Sequence, residues 1–94
     1  MKPEEIIELM NRRQRQILVH SCLYYRMNVS VVDDHLFDYW SKELVRFMET
    51  YPGLAEQSCY YQEFQTFDGS SGYDLPYWRP EILRSANRLI TTPN

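Results

Sequence analysis

Two cysteines, two histidines and three glycines in 94 residues leave several kinds of protein out of consideration. Cys22 and Cys59 are too few for a disulfide framework, and neither belongs to a C-x-x-C pair. His20 and His35 add no H-x-x-x-H pair, so no metal-ligand spacing is present. Free thiols in a reducing compartment are the expectation. Glycine occurs at Gly53, Gly69 and Gly72, and the turn at 68–72 lacks the G-x-x-x-x-G-K-S/T spacing of a phosphate loop. No apolar run approaches the ~18 residues of a membrane span. The start Met-Lys-Pro-Glu-Glu has no signal-peptide pattern, so a cytoplasmic chain without membrane contact is expected. Ten Lys and Arg stand against 13 Asp and Glu, a net charge of −3. That balance argues against nucleic-acid binding, because cations that neutralise phosphate supply most of such affinity. Arg12, Arg13 and Arg15 are a local exception, either a solvated helix face or a contact for phosphate or an acidic partner.

The chain is rich in rings, with 15% aromatic residues and eight tyrosines. Tyrosine fills a small core while its hydroxyl reaches water, or it lines a stacking or protein-contact surface. Ninety-four residues suffice for one small domain with a single core. Pro3, Glu4 and Glu5 make a good helix start, and a helical pattern runs to about Met27. Ile6, Ile7, Met10, Ile17 and Leu18 fall near one stripe, which the polar block 11–16 interrupts. Either the first turns project to dock on something larger, or they fold back on the C-terminal segment. A second helix is predicted from Asp34 to about Thr50, with Leu36, Phe37, Trp40, Leu44, Phe47 and Met48 on one apolar face. Trp40 and Phe47 are expected in the core, and Tyr51-Pro52-Gly53 stops the helix. The aromatic segment 58–67 alternates enough to favour an extended strand or irregular packing, followed by a turn at 68–72 and a short hairpin back to Leu75. Pro80 opens a last helix with Ile82, Leu83, Ala86, Leu89 and Ile90 on one face. The fold class expected is mainly α: a helical hairpin core over 17–54, an aromatic irregular or extended segment over 55–80, and a C-terminal helix over 80–91.

The stretch 23–38, LYYRMNVSVVDDHLFD, carries the chemistry. Tyr24 and Tyr25 end the first helical pattern, and Asp33 and Asp34 open the second, where a carboxylate accepts from free backbone N–H groups and suits the positive end of the helix dipole. Asp38 falls one turn after Asp34 on the same face, with Phe37 beside it. Aromatic walls with acidic corners suit a flat, cationic or hydroxyl-rich small molecule. As an acid–base pair Asp34 and Asp38 have no nucleophile or metal cluster near them in sequence, so a non-catalytic role is expected.

A tyrosine-rich helix end, a short loop, a D-x-x-[Y/F]-D helix start and a helix closing with Tyr51-Pro52-Gly53-Leu54 resemble the small N-terminal domain of bacterial NAD-dependent DNA ligases. The resemblance covers roughly residues 17–54. It implies a module that captures the nicotinamide mononucleotide half of NAD and presents it to a separate adenylation domain. Position by position, Tyr24 matches the tyrosine that packs on nicotinamide, and Asp34 and Asp38 match the two acidic ligand contacts. Tyr25 stands where the family has histidine and Phe37 where it has the tyrosine of Y-D, which removes polar contacts of roughly 1 to 3 kcal/mol each where buried. The resemblance thus names Tyr24, Tyr25, Asp34, Phe37 and Asp38 as candidate ligand residues. It requires no cofactor, with NAD or nicotinamide mononucleotide as the ligands such a site takes, and it implies a protein partner, the adenylation domain of a host ligase or another host protein. Small ligase-related chains of this kind also look like phage and mobile-element reading frames, in which a short acidic protein blocks a host factor without binding nucleotide. Asp68-Gly69 does not extend the likeness to the K-x-D-G nucleophile motif, because Thr66 holds the lysine position.

Overall fold

Pro3 is the first residue of α1 (Pro3–Ser21) in the computed structural model, which describes residues 1–91. A missing N–H is harmless at that position, since it has no intrahelical acceptor, and Glu4 and Glu5 follow at the positive end of the helix. The helix passes unbroken through the polar block and widens into a π-helical turn, Cys22–Arg26. There the Met27 N–H reaches back to the Cys22 carbonyl at 3.2 Å. Asn28 follows with a φ of 56°, a left-handed conformation that asparagine tolerates far better than a β-branched residue does. The Val29 N–H then donates to the Leu23 carbonyl at 2.8 Å, one residue further back than the corresponding bond of a Schellman cap, and closes the wide turn as the chain reverses.

Asp33 is the N-cap of α2 (Asp34–Thr50), its carboxylate accepting from the Leu36 N–H at 2.8 Å. Trp40 and Leu44 are buried against α1, as the spacing predicts, while Phe47 is half-buried and stacked on Tyr51 at 6.3 Å. Leu36 departs from the expected apolar face and is 40% exposed. Tyr51 leaves helical geometry ahead of Pro52, and one further turn, α3 (Pro52–Ala55), lays Ala55 against α1. The last helix, α4 (Pro80–Thr91), packs on α1 and on the π turn through Ile82 and Ala86, leaving Leu89 and Ile90 nearly half exposed. The fold is mainly α, with α1 as the element that the others share.

The segment 58–67 forms no strand, and no strand or hairpin occurs among the described residues. It takes the irregular packing, the other expectation, as consecutive turns: the Phe64 N–H donates to the Tyr60 and Tyr61 carbonyls, and the Phe67 N–H to that of Phe64 at 3.2 Å. Tyr60 and Phe64, four residues apart, are thereby buried on one side, and Phe67 meets Phe64 edge to face at 5.1 Å. Aromatic spacing that looked like alternation serves a helical-type turn. Beyond it, Asp68 Oδ1 accepts from the N–H and hydroxyl of Ser70, and Gly69 takes a φ of 87° with its Cα close to Val45 and the Ser41 carbonyl. Arg79 pairs with Glu63 at 2.5 Å, and the Tyr60 hydroxyl donates to Glu81 at 3.2 Å, fixing the start of α4.

The polar block in α1 is what receives this segment. Gln14 has no exposed surface; its Oε1 accepts from the Tyr60 N–H at 3.0 Å and its Nε2 donates to Ser58 Oγ at 2.9 Å. Ser58 Oγ in turn donates to the Ala55 carbonyl, and Asn11 Oδ1 accepts from the Cys59 N–H at 2.8 Å. Arg13 turns from solvent toward α2, its Nε donating to Glu43 at 2.7 Å while Tyr39 donates to the other oxygen of the same carboxylate. With Ile6 and Met10 buried as well, α1 is covered along its length and its first turns do not project.

Replacing Gln14 with leucine keeps the bulk but leaves the Tyr60 N–H without an acceptor in the core. Gln14→Leu is expected to lower the unfolding free energy by about 1 to 3 kcal/mol in chemical denaturation, and an unchanged midpoint would count against the assigned role. Burial alone would raise the Glu43 carboxyl, but hydrogen bonds from Arg13 and Tyr39 and the charges of Arg13 and Arg46 outweigh it and hold its pKa below the ordinary 4.5. A depressed folded-state pKa gives a stability contribution that is complete above the unfolded value and lost as pH falls through the folded one. As pH falls below about 5 the native chain should therefore lose stability faster than a Glu43→Gln variant, and parallel pH profiles would contradict this.

Candidate functional site

The chain reversal between α1 and α2 leaves a cavity of about 480 Å³. That lies inside the range of about 300 to 1,000 Å³ typical of small-molecule sites. One wall is the end of α1 with the π turn, which brings His20, Ser21, Tyr24 and Tyr25. The facing wall is the 29–32 connection with the first turns of α2, including Asp34, Phe37 and Asp38. Ser70 and Ser71 close the third side. All five residues singled out from the sequence, Tyr24, Tyr25, Asp34, Phe37 and Asp38, thus border one space.

Their states differ. Tyr24 is 56% exposed and meets the Tyr25 ring edge to face at 4.9 Å, leaving its outer face open for stacking. Tyr25 is committed to the fold: its hydroxyl lies 2.9 Å from Ser71 Oγ, and its ring meets Tyr73 at 5.2 Å and stacks near Tyr77 at 5.9 Å. Because Asp33 performs the capping, Asp34 is an exposed first-turn carboxylate with no hydrogen bond or ion pair among the described residues. Asp38 is held by Lys42 one turn on, with both oxygens within 2.9 Å of Nζ and both side chains mostly in solvent. Phe37 is half-buried and adds an apolar patch.

The wall residues missed in the sequence are as informative as those found. His20 and Ser21 precede Tyr24 and Tyr25 by four residues, one helical turn, so the spacing rule that groups Asp34 with Asp38 would also have collected them. The His20 ring is tilted against Trp40 at 5.3 Å, and burial pushes its pKa down, which keeps it neutral near pH 7. Ser21 is 1% exposed and its Oγ has no hydrogen-bond partner among the described residues, so no base activates it. Ser70 and Ser71 come from a segment some way off in sequence, and no local signal announces them.

Among the residues that line the cavity there is no Lys or Arg. The arrangement accepts hydrogen bonds at Asp34 and Asp38, offers neutral hydroxyls opposite, and presents rings for stacking. Among the described residues, no three His, Cys, Asp or Glu side chains form a cluster able to hold a metal ion. Burial pushes the Cys22 thiol up, which makes it a poor nucleophile. No described helix is long and apolar enough to cross a membrane. From the cavity mouth a run of rings continues outward through Tyr25 to Tyr73 and through Tyr77 to Trp78, with Tyr73 62% and Trp78 55% exposed. Set against protein-family models, curated proteins and solved structures, the chain matches none.

Proposed function

We propose that the chain is a non-catalytic binding module whose cavity takes the positive ring and ribose of nicotinamide mononucleotide, or that half of NAD, and that works together with a protein partner. The observation that carries this reading is the meeting of Tyr24, Asp34 and Asp38 at one cavity, at the spacing that resembles the ligase N-terminal domain. A cationic ring gains from stacking on Tyr24 and from the unengaged carboxylate of Asp34. The ion pair between Asp38 and Lys42 does not close the site, since exposed pairs of this kind contribute about 0 to 1 kcal/mol and exchange readily with another donor. Phosphate, with no Lys or Arg in the lining, is left to solvent or to the partner. The partner that fits best is an adenylation domain of a ligase supplied by a host, which would complete the other side of the dinucleotide.

A site that holds half of a dinucleotide is weak by itself, on the order of 0.1 to 10 mM. Titration of nicotinamide mononucleotide into isotope-labelled protein should shift the amides of Tyr24, Asp34 and Asp38 with half-saturation in that range. Tyr24→Ala should weaken binding about 10-fold through lost stacking. Silence at ~10 mM ligand would remove the small-molecule reading.

A second reading is favoured by the exposed rings at Tyr73 and Trp78: an interaction protein that covers a host factor and binds no nucleotide, as phage and mobile-element proteins do. Sedimentation of the chain with an isolated ligase adenylation domain separates the two. Under the first reading nicotinamide mononucleotide strengthens the complex and Tyr24→Ala weakens it. Under the second the ligand has no effect, and a Tyr73→Ala, Trp78→Ala double variant dissociates it.

A further inference from the structure

We propose that His20 and His35 make the cavity an acid-sensitive cation site, which admits a positive ring near neutral pH and releases it when both imidazoles take up a proton. This rests on the ligand reading given above and adds its regulation. Phenols aside, the titratable side chains of the lining are two acids and two histidines: His20 on α1, and Asp34, His35 and Asp38 on the first turns of α2. The 29–32 connection and the serine side bring no charge, and Arg12, Arg13 and Arg15 of α1 do not reach the lining. Arg26, the one charge on the π turn, also lies outside it and acts on Cys22 and Tyr77. Asp38 is paired with Lys42, so with both histidines neutral the site carries one net negative charge, that of Asp34. With both protonated its sign inverts.

Histidine is the side chain that changes charge between about pH 5 and pH 8, where carboxylates ordinarily stay ionised and phenols neutral. His35 is exposed in the first turn of α2, next to Asp34 in the chain. His20 is half-buried against Trp40 and makes no hydrogen bond among the described residues. Of the described side chains only the hydroxyls of Ser21 and Ser41 are sealed without a partner, so the His20 nitrogens reach water. Burial holds the His20 pKa below the ordinary 6.5, so this residue takes its proton only in acid solution. A proton on either histidine and a positive ring then compete for the same acids. The competition is reciprocal: a bound cation lowers the pH at which the histidines charge by as much as their charging weakens the cation.

The test is a chemical-shift titration of the full chain with 1-methylnicotinamide, a permanent cation, and with nicotinamide, which has the same ring and amide without the charge. From about pH 7.5 to about pH 5.5 the affinity for the cation should fall at least about 5-fold, and that for nicotinamide less than about 2-fold. In a His20→Gln, His35→Gln variant the cation should lose less than about 2-fold over the same interval. A readout that needs no variant is the titration of the histidine Hε1 resonances, whose midpoints should move to lower pH in saturating 1-methylnicotinamide. Affinity for the cation that does not change with pH, an equal loss for the neutral probe, a loss that persists in the double variant, or unmoved Hε1 midpoints overturns the switch and leaves the ring-binding reading standing. Failure of the cation to bind at about pH 7.5 overturns both.

Discussion

A buried glutamine in the middle of α1 determines how the second half of the molecule is held. The turns at 58–60 have polar groups facing the core without a helix or sheet of their own to satisfy them, and Gln14 answers with one acceptor for the Tyr60 N–H and one donor for the Ser58 hydroxyl. A leucine there would continue the apolar stripe and bind nothing. The entropy of ordering an irregular segment is of order 1 to 2 kcal/mol per residue, so such a segment stays in place only when its polar groups are matched and its large side chains are buried. Tyr60, Phe64 and Leu75 provide the burial, and Gln14 and Asn11 provide the matching.

Seating that segment also completes the cavity. Once 58–67 is docked on α1, the chain runs on through Gly69 and Gly72, and both lie where backbone from one part meets backbone or side chain from another. Ser70 and Ser71 arrive at the open end of the helical hairpin as a consequence, and Tyr25 fixes them from the other side by its hydroxyl and its ring contacts. The helical hairpin alone would present Tyr24, Asp34 and Asp38 on an open concave face; the C-terminal segment walls that face on one side. Tyr25 is therefore better understood as the pin that joins the two halves than as a ligand group.

Much of this was legible in the sequence, and what was not has identifiable causes. Helix starts were readable because Pro3, Asp33 and Pro80 act within one turn of themselves. The convergence of Tyr24, Asp34 and Asp38 was readable because a short connection between two helices leaves few ways to pack them. The polar block in α1 was ambiguous because hydrophobic periodicity counts a glutamine as a gap, whether it faces water or a buried amide. The aromatic segment looked extended because its rings alternate in part, yet the spacing of four between Tyr60 and Phe64 is the one the core uses. The serine wall left no sequence trace, since it depends on contacts between residues nearly fifty positions apart, such as Tyr25 with Ser71.

The distribution of charge around the cavity follows from the same packing. Arg13, which the sequence leaves free to face an anion, is turned toward Glu43 by the crossing of α1 and α2, and Lys42 is drawn along the helix to Asp38. Arg13 and Lys42 are thus engaged within the fold, while Asp34, relieved of capping by Asp33, is not. His20 adds no compensating charge, because burial lowers its pKa. An anion entering the cavity must displace water from neutral hydroxyls beside an unpaired carboxylate, whereas a cation meets rings and an acid that have no competing partner except an exchangeable lysine. The sign of charge that the cavity favours follows from which side chains the helix packing has already used.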